Sequence, residues 1–396
     1  MRLVFIPLIR ILHRPVLIGR EHMPSSGPCF IIANHCGTYD SFFINYFIKR
    51  EAVAGIMTDE FLREGFMAYL FKQLGVVATR KFQTQTTPVR DLIRLVRDKR
   101  MIVLMPEGES NWDGATLPTV ASTGKLFRAM KVPVHPVIIH NGYLAYPRWA
   151  NWPRTAKIHV EFLPPFTCTP DMTDEEVATR VDEAIRWDAV FDDEPFRPRW
   201  VASFRPAKRI TRLIFRCPNC GAAEGLEEIR GRFLNCRSCG ERWRVRGDAT
   251  LTNTRTGERR TATEIFRQIC EMARPLLDFG EQGKGLIHTA DIPVYKEVEY
   301  PHQELLGRFD CILREDRIDL LPKNSQEVIT IMLTELHSLS NELKVKCQLR
   351  TAEDMYQLHF ERGSPLQWQI YLKDMLPHLD DRLIRPTDFA TGHAPK

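Results

Sequence analysis

The sequence predicts an α/β protein in three parts. These are a layered α/β domain over 1–195, a basic linker with a small four-cysteine ribbon over 196–250, and a linker helix with a mostly β domain over 251–396. Three observations carry the division. Residues 28–190 alternate short apolar runs with amphipathic stretches, the texture of helices layered on a buried sheet. Two C-x-x-C pairs follow a segment, Arg197–Arg216, that holds seven Arg or Lys and no acid. After about residue 290 the chain becomes short, alternating, strand-like stretches. A length of 396 residues fits two or three domains, and 43% hydrophobic residues suffice for ordinary cores.

The elements follow in order. "PCFIIAN" (Pro28–Asn34) is an apolar run that reads as a buried strand, and "DSFFINYFIKR" as a helix with Asp40 at its start. "AVAGIM" is a strand, "DEFLREGFMAYLFKQLG" a helix ending at Gly75, and "VVATRK" a strand. In "TPVRDLIRLVRDKR", Thr87 caps, Pro88 fits the first turn, and Val89, Leu92, Ile93 and Val96 form one apolar face. "MIVLMPEG", "VPVHPVIIH" and "AKIHVEFL" are further strands. Thr173 with Glu176 reads as a capping box. Near the C-terminus "GRFDCILREDRIDLL" reads as a β-hairpin with Phe309, Cys311 and Leu313 on one face. Ser364-Pro365 opens a helix with Trp368, Tyr371, Leu372 and Met375 on one side.

Four short blocks stand out in the α/β region: "NHCGTYDS" (34–41), "GVVATR" (75–80), "MPEGES" (105–110) and "VPVHPV" (132–137). Residues just past strand ends gather in one crevice of an open α/β sheet, so the blocks can converge. Their order and spacing resemble the glycerolipid acyltransferase superfamily, the lysophosphatidic acid acyltransferases in particular. The matching patterns are N-H-x4-D, G-x4-R, P-E-G and V-P-V-x-P-V, over residues 25–190. The resemblance implies an acyltransferase-type layered α/β domain. It also implies transfer of a fatty acyl group from a thioester, acyl-CoA or acyl-carrier protein, to the hydroxyl of a 1-acylglycerol-3-phosphate-like lysophospholipid.

The chemistry suits the residues. A histidine can take the proton that the alcohol loses during attack at neutral pH, which assigns His35 as general base. A carboxylate on its other ring nitrogen, Asp40, fixes the tautomer and stabilises the imidazolium. Arg80 would hold an anionic group on the acceptor. Glu107 would bind an acceptor hydroxyl or shape the pocket, and backbone N–H groups around Gly108 would stabilise the oxyanion. Two departures mark this chain. The family's E-G-T-R becomes Glu107-Gly108-Glu109-Ser110, which weakens the case for a lysophosphatidate acceptor, and Gly37 replaces Ser in the first block.

Cys217, Cys220, Cys236 and Cys239 form C-x2-C-x15-C-x2-C, the spacing of a structural Zn²⁺ site of zinc-ribbon type in a reducing compartment. Gly221 and Gly240 suit tight turns after each pair. The last hundred residues resemble, loosely, a pleckstrin-homology-like barrel. No run of about 18 apolar residues exists. The expected site of action is therefore the cytoplasmic face of a membrane, held peripherally by the apolar stretch Leu3–Leu12 and by Arg197–Arg216 on anionic lipid. The net charge of +5 is a mild basic excess that favours anionic partners. The competing readings are a catalytically silent lipid or protein adaptor and a zinc-ribbon nucleic-acid binder. The latter leaves the four blocks unexplained, so nucleic acid is not an expected partner.

Overall fold

In the computed structural model the described residues are 2–49, 53–58, 69, 76–79, 86–120, 122–223, 225–273, 286–299, 302–324, 327–342 and 344–379. They form two compact units. One holds the residues up to Pro206 together with Arg246–Thr250, and the other Ala207–Val245 and the residues from Leu251.

The first unit is α/β. Its elements are α1 (Arg2–His13), β1 (Val16–Ile18), β2 (Cys29–Ala33), α2 (Asp40–Phe47), β3 (Ala54–Thr58), β4 (Val76–Thr79), α3 (Thr86–Arg97), β5 (Met101–Leu104), α4 (Ser122–Met130), β6 (Val134–His140), β7 (His159–Phe162) and α5 (Asp174–Ile185). The seven strands form one sheet in the order β1-β7-β6-β2-β5-β3-β4. Its pairs are parallel except β6 with β7. Every residue of β2 is buried, as a central parallel strand covered on both faces requires. Phe30 and Ile32 of β2 pack in one cluster with Ile102, Phe127, Val134, Ile138, Val177 and Val181.

Local chemistry explains the helices. The Thr173 hydroxyl accepts from the Glu176 N–H at 3.1 Å, and the Glu176 carboxylate accepts from the Thr173 N–H at 2.7 Å, so the capping box at α5 is complete. In α3 the apolar face differs from the expected one. Leu92 and Leu95 are buried and Val96 packs on the core, whereas Val89 is 46% and Ile93 45% exposed. An i, i+3, i+4 spacing fits several rotations about the helix axis, and packing on the sheet selects the one led by Leu92 and Leu95. The helix expected over 59–75, with Gly75 at its end, lies outside the described residues apart from Tyr69.

The second unit is rich in β structure. A five-stranded sheet carries β8 (Leu226–Ile229), β9 (Phe233–Cys236), β10 (Arg242–Val245), β11 (Thr250–Asn253) and β12 (Arg259–Thr261), each beside the next. The sheet thus continues past residue 250, because β10 pairs with β11 through Val245↔Leu251 and Trp243↔Asn253. Helix α6 (Ala262–Ala273) follows. A second, seven-stranded sheet contains β13 (Ile287–Glu299), β14 (His302–Leu313), β15 (Arg317–Pro322), β16 (Ile329–Met332), β17 (Ser338–Glu342), β18 (Lys346–Arg350) and β19 (Met355–His359) in the order β16-β15-β14-β13-β19-β18-β17. The expected hairpin is β14–β15, with Phe309, Cys311 and Leu313 buried. Helix α7 (Pro365–Met375) is capped by Ser364, whose hydroxyl accepts from the Gln367 N–H at 3.2 Å. It buries Trp368, which donates to the Thr289 hydroxyl at 3.0 Å.

Candidate active site

The apolar run of β2 stops at Asn34, and the chain turns before α2 begins at Asp40. Asn34 locks that turn to the end of β6: its Oδ1 accepts from the Ile139 N–H at 2.8 Å. Strand β2 lies at the point of the sheet with β5, β3 and β4 on one side and β6, β7 and β1 on the other. Ligand crevices of open α/β sheets form outside such a switch in strand order.

His35 and Asp40 meet in this turn, with Nδ1 of His35 2.8 Å from Oδ2 of Asp40. The same carboxylate oxygen accepts from the Gly37 N–H at 2.9 Å. Asp40 is 2% exposed, while the His35 side chain is 24% exposed. A carboxylate on the first turn of α2 is also favoured by the helix dipole. Since Asp40 only accepts when ionised, the hydrogen-bond pattern assigns the proton to Nδ1 of His35 and leaves a lone pair on Nε2. Among the described residues Nε2 makes no hydrogen bond.

The loop after β5 grips the backbone of His35 from both sides. The His35 N–H donates to Oε1 of Glu107, and the Asn111 N–H donates to the His35 carbonyl at 2.9 Å. The second oxygen of Glu107 accepts from the Leu117 N–H at 2.7 Å, so the fully buried carboxylate ties two loops together. Both oxygens of Glu107 thus accept from backbone N–H groups. Gly108 holds φ +70°, and a Cβ there would stand 2.8 Å from Val120 Cγ2. Its own N–H donates to the Met105 carbonyl at 3.1 Å, so this amide is not itself available to an oxyanion. Arg80 lies outside the described residues; β4 ends just before it, at Thr79.

Sequence reasoning passed over three residues here. Asn34 and Asn111 anchor the turn, and the sole signal for Asn34 was its place in the first block. Cys36 is buried beside the histidine, and burial, followed by the charges of Asp40, Glu107 and Asp193, pushes its thiol well above the usual range. It is therefore a neutral packing group and not a nucleophile.

The four cysteines of the second unit come together, all sulfurs lying within 4.8 Å of one another. Sγ of Cys217 is 3.7 Å from that of Cys239, and Sγ of Cys220 is 3.8 Å from that of Cys236. Four thiolates around a tetrahedral Zn²⁺ at about 2.3 Å would stand about 3.8 Å apart. A disulfide would need about 2.05 Å. Two matching knuckles build the cluster: Gly221 donates to the Cys217 carbonyl and Gly240 to the Cys236 carbonyl, each at 2.9 Å. Both glycines have positive φ, 71° and 75°. The donor set fits a metal ion.

The expected headgroup-facing segment Arg197–Arg216 divides in two: Arg197, Arg199, Trp200, Phe204 and Arg205 are exposed, and the later residues turn inward. Arg212 and Arg216 are buried. Arg216 donates to the Gly221 carbonyl and to the Tyr371 hydroxyl, each at 3.0 Å, and Arg209 donates to the Glu361 carbonyl. The Arg209 and Arg216 guanidiniums thus satisfy carbonyls and a hydroxyl inside the second unit. In α1, Ile9 is buried while Leu8 and Ile11 are exposed. Among the described residues no helix is long and apolar enough to cross a membrane.

Residues 14–140 match the family model described as Acyltransferase. Two curated proteins named 1-acyl-sn-glycerol-3-phosphate acyltransferase, from Limnanthes alba and Limnanthes douglasii, are each 22% identical over 171 residues, which is 42% of this chain and 58% of theirs. The chain thus spans less than three fifths of the curated relatives' length. The crystal structure of the 1-acyl-sn-glycerophosphate (LPA) acyltransferase PlsC from Thermotoga maritima is similar at 21% identity, covering 46% of this chain and 78% of that one, with a TM-score of 0.38. Residues 14–140 are thus similar to the Acyltransferase family, which supports the glycerolipid acyltransferase resemblance of the N-terminal part.

Proposed function

We propose that the first unit is an O-acyltransferase that moves a fatty acyl group from a thioester of coenzyme A or an acyl-carrier protein to the hydroxyl of a lysophospholipid. The observation that carries this reading is the His35–Asp40 pair, 2.8 Å apart, with the carboxylate buried and the imidazole reachable. Nε2 of His35 accepts the hydroxyl proton as the alcohol oxygen attacks the thioester carbonyl. The new C–O bond forms, the C–S bond breaks, and the imidazolium returns the proton to the departing thiolate. Asp40 holds the tautomer and balances the imidazolium charge. No acyl-enzyme is needed, because the thioester is already activated, and the protonated, buried Cys36 offers none. Glu107 and Asn111 fix the height of His35. Arg80 is the cation offered to an anionic group on a 1-acylglycerol-3-phosphate-like acceptor. A catalytically silent adaptor would have no use for an aligned base and carboxylate.

In the second unit the four cysteines would hold one structural Zn²⁺ in a zinc ribbon, with no part in acyl transfer. The seven-stranded sheet with its closing helix is consistent with a pleckstrin-homology-like module. A lipid acceptor implies work at a membrane surface, with Leu8 and Ile11 of α1 as the exposed apolar groups.

The test is acyl transfer by the purified chain from a labelled acyl thioester to a panel of lysolipids. His35→Ala should reduce turnover by about 10²–10⁴-fold without changing the thermal melt, and Asp40→Asn should fall nearly as far through the wrong tautomer. Near-normal turnover by folded His35→Ala would refute the mechanism.

A further inference from the structure

The first unit exposes an aromatic patch next to the segment that packs on the catalytic turn. The chain carries seven tryptophans, and two of them are exposed, Trp152 at 53% and Trp200 at 74%. Phe204 is 69% exposed, and its ring lies 6.3 Å from that of Trp152, edge to face. Large apolar side chains gathered in water mark interaction sites. These rings do not sit on a loose tip. The two segments that carry them meet in an isolated antiparallel bridge, Thr155 with Ala202. There the Thr155 N–H donates to the Ala202 carbonyl at 3.0 Å, and the Thr155 hydroxyl accepts from the Ala202 N–H at 2.9 Å. The adjacent Arg154 is buried, donates to the carbonyls of Gly247 and Pro206 at 2.7 Å and 3.3 Å, and lies 4.7 Å over the Trp149 ring. Pro153, Pro198 and Pro206 restrict the backbone around the rings.

The charge beside the rings is of one sign. Arg197, Arg199 and Arg205 are exposed, and the Arg205 guanidinium stands 5.2 Å from the Phe204 ring centre. Residues 195–223 hold no Asp or Glu. Aromatic rings interleaved with arginines match the boundary of an anionic bilayer, where Trp settles at headgroup level and each Arg is attracted to anionic lipid. The patch also connects to the reacting groups. The Tyr146 hydroxyl donates to the carbonyl of Asn151, the neighbour of Trp152, at 3.4 Å, and the Tyr146 ring stacks on Tyr39 at 5.1 Å. Tyr39 directly precedes Asp40, and a Cβ at Gly37 would stand 3.0 Å from the Tyr146 carbonyl. The Tyr146 segment thus packs on the turn that holds His35.

From this, and resting on the acyl-transfer reading above, we infer that Trp152, Trp200 and Phe204 insert into the surface of an anionic bilayer and hold the His35 turn at the level of a lipid acceptor. The arginines add attraction to the headgroups, and the rings supply the anchorage that salt does not screen.

Binding without any acyl donor separates this inference from the catalytic one. The full chain is titrated with vesicles of phosphatidylcholine, with or without phosphatidylglycerol, whose acyl chains are brominated near the headgroup. Bromine quenches tryptophan on contact, and the two exposed tryptophans are the ones placed to meet it. Quenching of the bound protein is expected, and Trp152→Ser with Trp200→Ser should abolish it. Adding Phe204→Ser should weaken binding by at least about 10²-fold, since burial of each large apolar side chain is worth about tenfold or more. Omitting phosphatidylglycerol should weaken it by no more than about 10²-fold for three arginines. Raising salt from about 0.1 M to about 1 M shortens the screening length from about 10 Å to about 3 Å, and at saturating lipid should leave the quenching in place. Phe204→Asp, a single change at an exposed position, should weaken binding by about tenfold or more should the triple variant fail to fold. Binding without quenching, full binding by the folded variants, or no binding to either vesicle would overturn the inference, as would self-association through the same rings in place of vesicle binding. Quenching with no turnover would leave the docking surface standing and remove the acyl-transfer reading. Turnover of a dispersed short-chain lysolipid without vesicle binding would do the reverse.

Discussion

The His35 turn and the four-cysteine cluster both bring reactive side chains to a point, and they do so by opposite means. In the cluster, each C-x-x-C pair makes its own knuckle, with a backbone bond from the following glycine to the first cysteine's carbonyl. Little beyond these two short segments is needed. In the turn, the His35–Asp40 pair is local, but its position depends on Glu107, Asn111 and Ile139, residues more distant in sequence. A local device is robust to change elsewhere. A composite device fails when any supporting loop moves, and is correspondingly easier to tune.

Breaking the local device should give the largest effect. Cys217→Ser with Cys236→Ser removes one thiolate from each knuckle, and elemental analysis should show about one zinc per chain fall to none. Because metal affinity is folding free energy in such sites, protection of β9 and β10 against hydrogen exchange should collapse while that of β2 and β6 persists. Zinc retained by the double variant would show that the cluster is not the site.

A subtler change tests the composite device. Glu107→Gln keeps the shape of the side chain but turns one acceptor toward a backbone N–H as a donor. The unsatisfied buried group should lower stability by about 1–3 kcal/mol in urea unfolding. Acyl transfer should drop as well, since the height of His35 is no longer fixed. Full activity with unchanged stability would mean the carboxylate supports neither loop.

The smallest effect expected is a pH dependence shared by both units. Burial lowers the pKa of His13, His135 and His159 in the first unit. In the second, burial and then the charge of Lys346 lower His359 to about 4. Each is folded in its neutral form, so its contribution is complete above the unfolded value of about 6.5 and is lost as pH falls toward the folded one. Urea midpoints should therefore decline between about pH 6.5 and pH 4, and a midpoint that rises over that range would contradict the assignment.

How far the sequence could be read follows the same contrast. The buried strands β2 and β6 show as continuous apolar runs, and the cysteine spacing is local, so both were legible. The expected strands missed β13, whose "IPVYKEVE" places a proline and three charges in one long strand, and β17, whose "SLSNE" is mostly polar. Each becomes a strand through its neighbours in the sheet rather than through its own pattern. The His35–Asp40 pair could be read from one block, but the double use of Glu107 could not, because a hydrogen bond to a backbone N–H leaves no trace in residue identity. Trp152 sits in no motif at all. Its neighbour Phe204 was visible only as one residue of a basic segment.

The sheet order also governs when this site can exist. Strand β2 is flanked by β5 and β6, which arrive about 70 and about 100 residues later in the chain, and Asn34 waits for Ile139. A nascent chain emerging N-terminus first thus carries His35 and Asp40 long before anything can hold them. Its most apolar strand meanwhile has both edges unpaired, so the interval between synthesis of Ala33 and of His140 is when the chain is most exposed to misassociation and most in need of a chaperone.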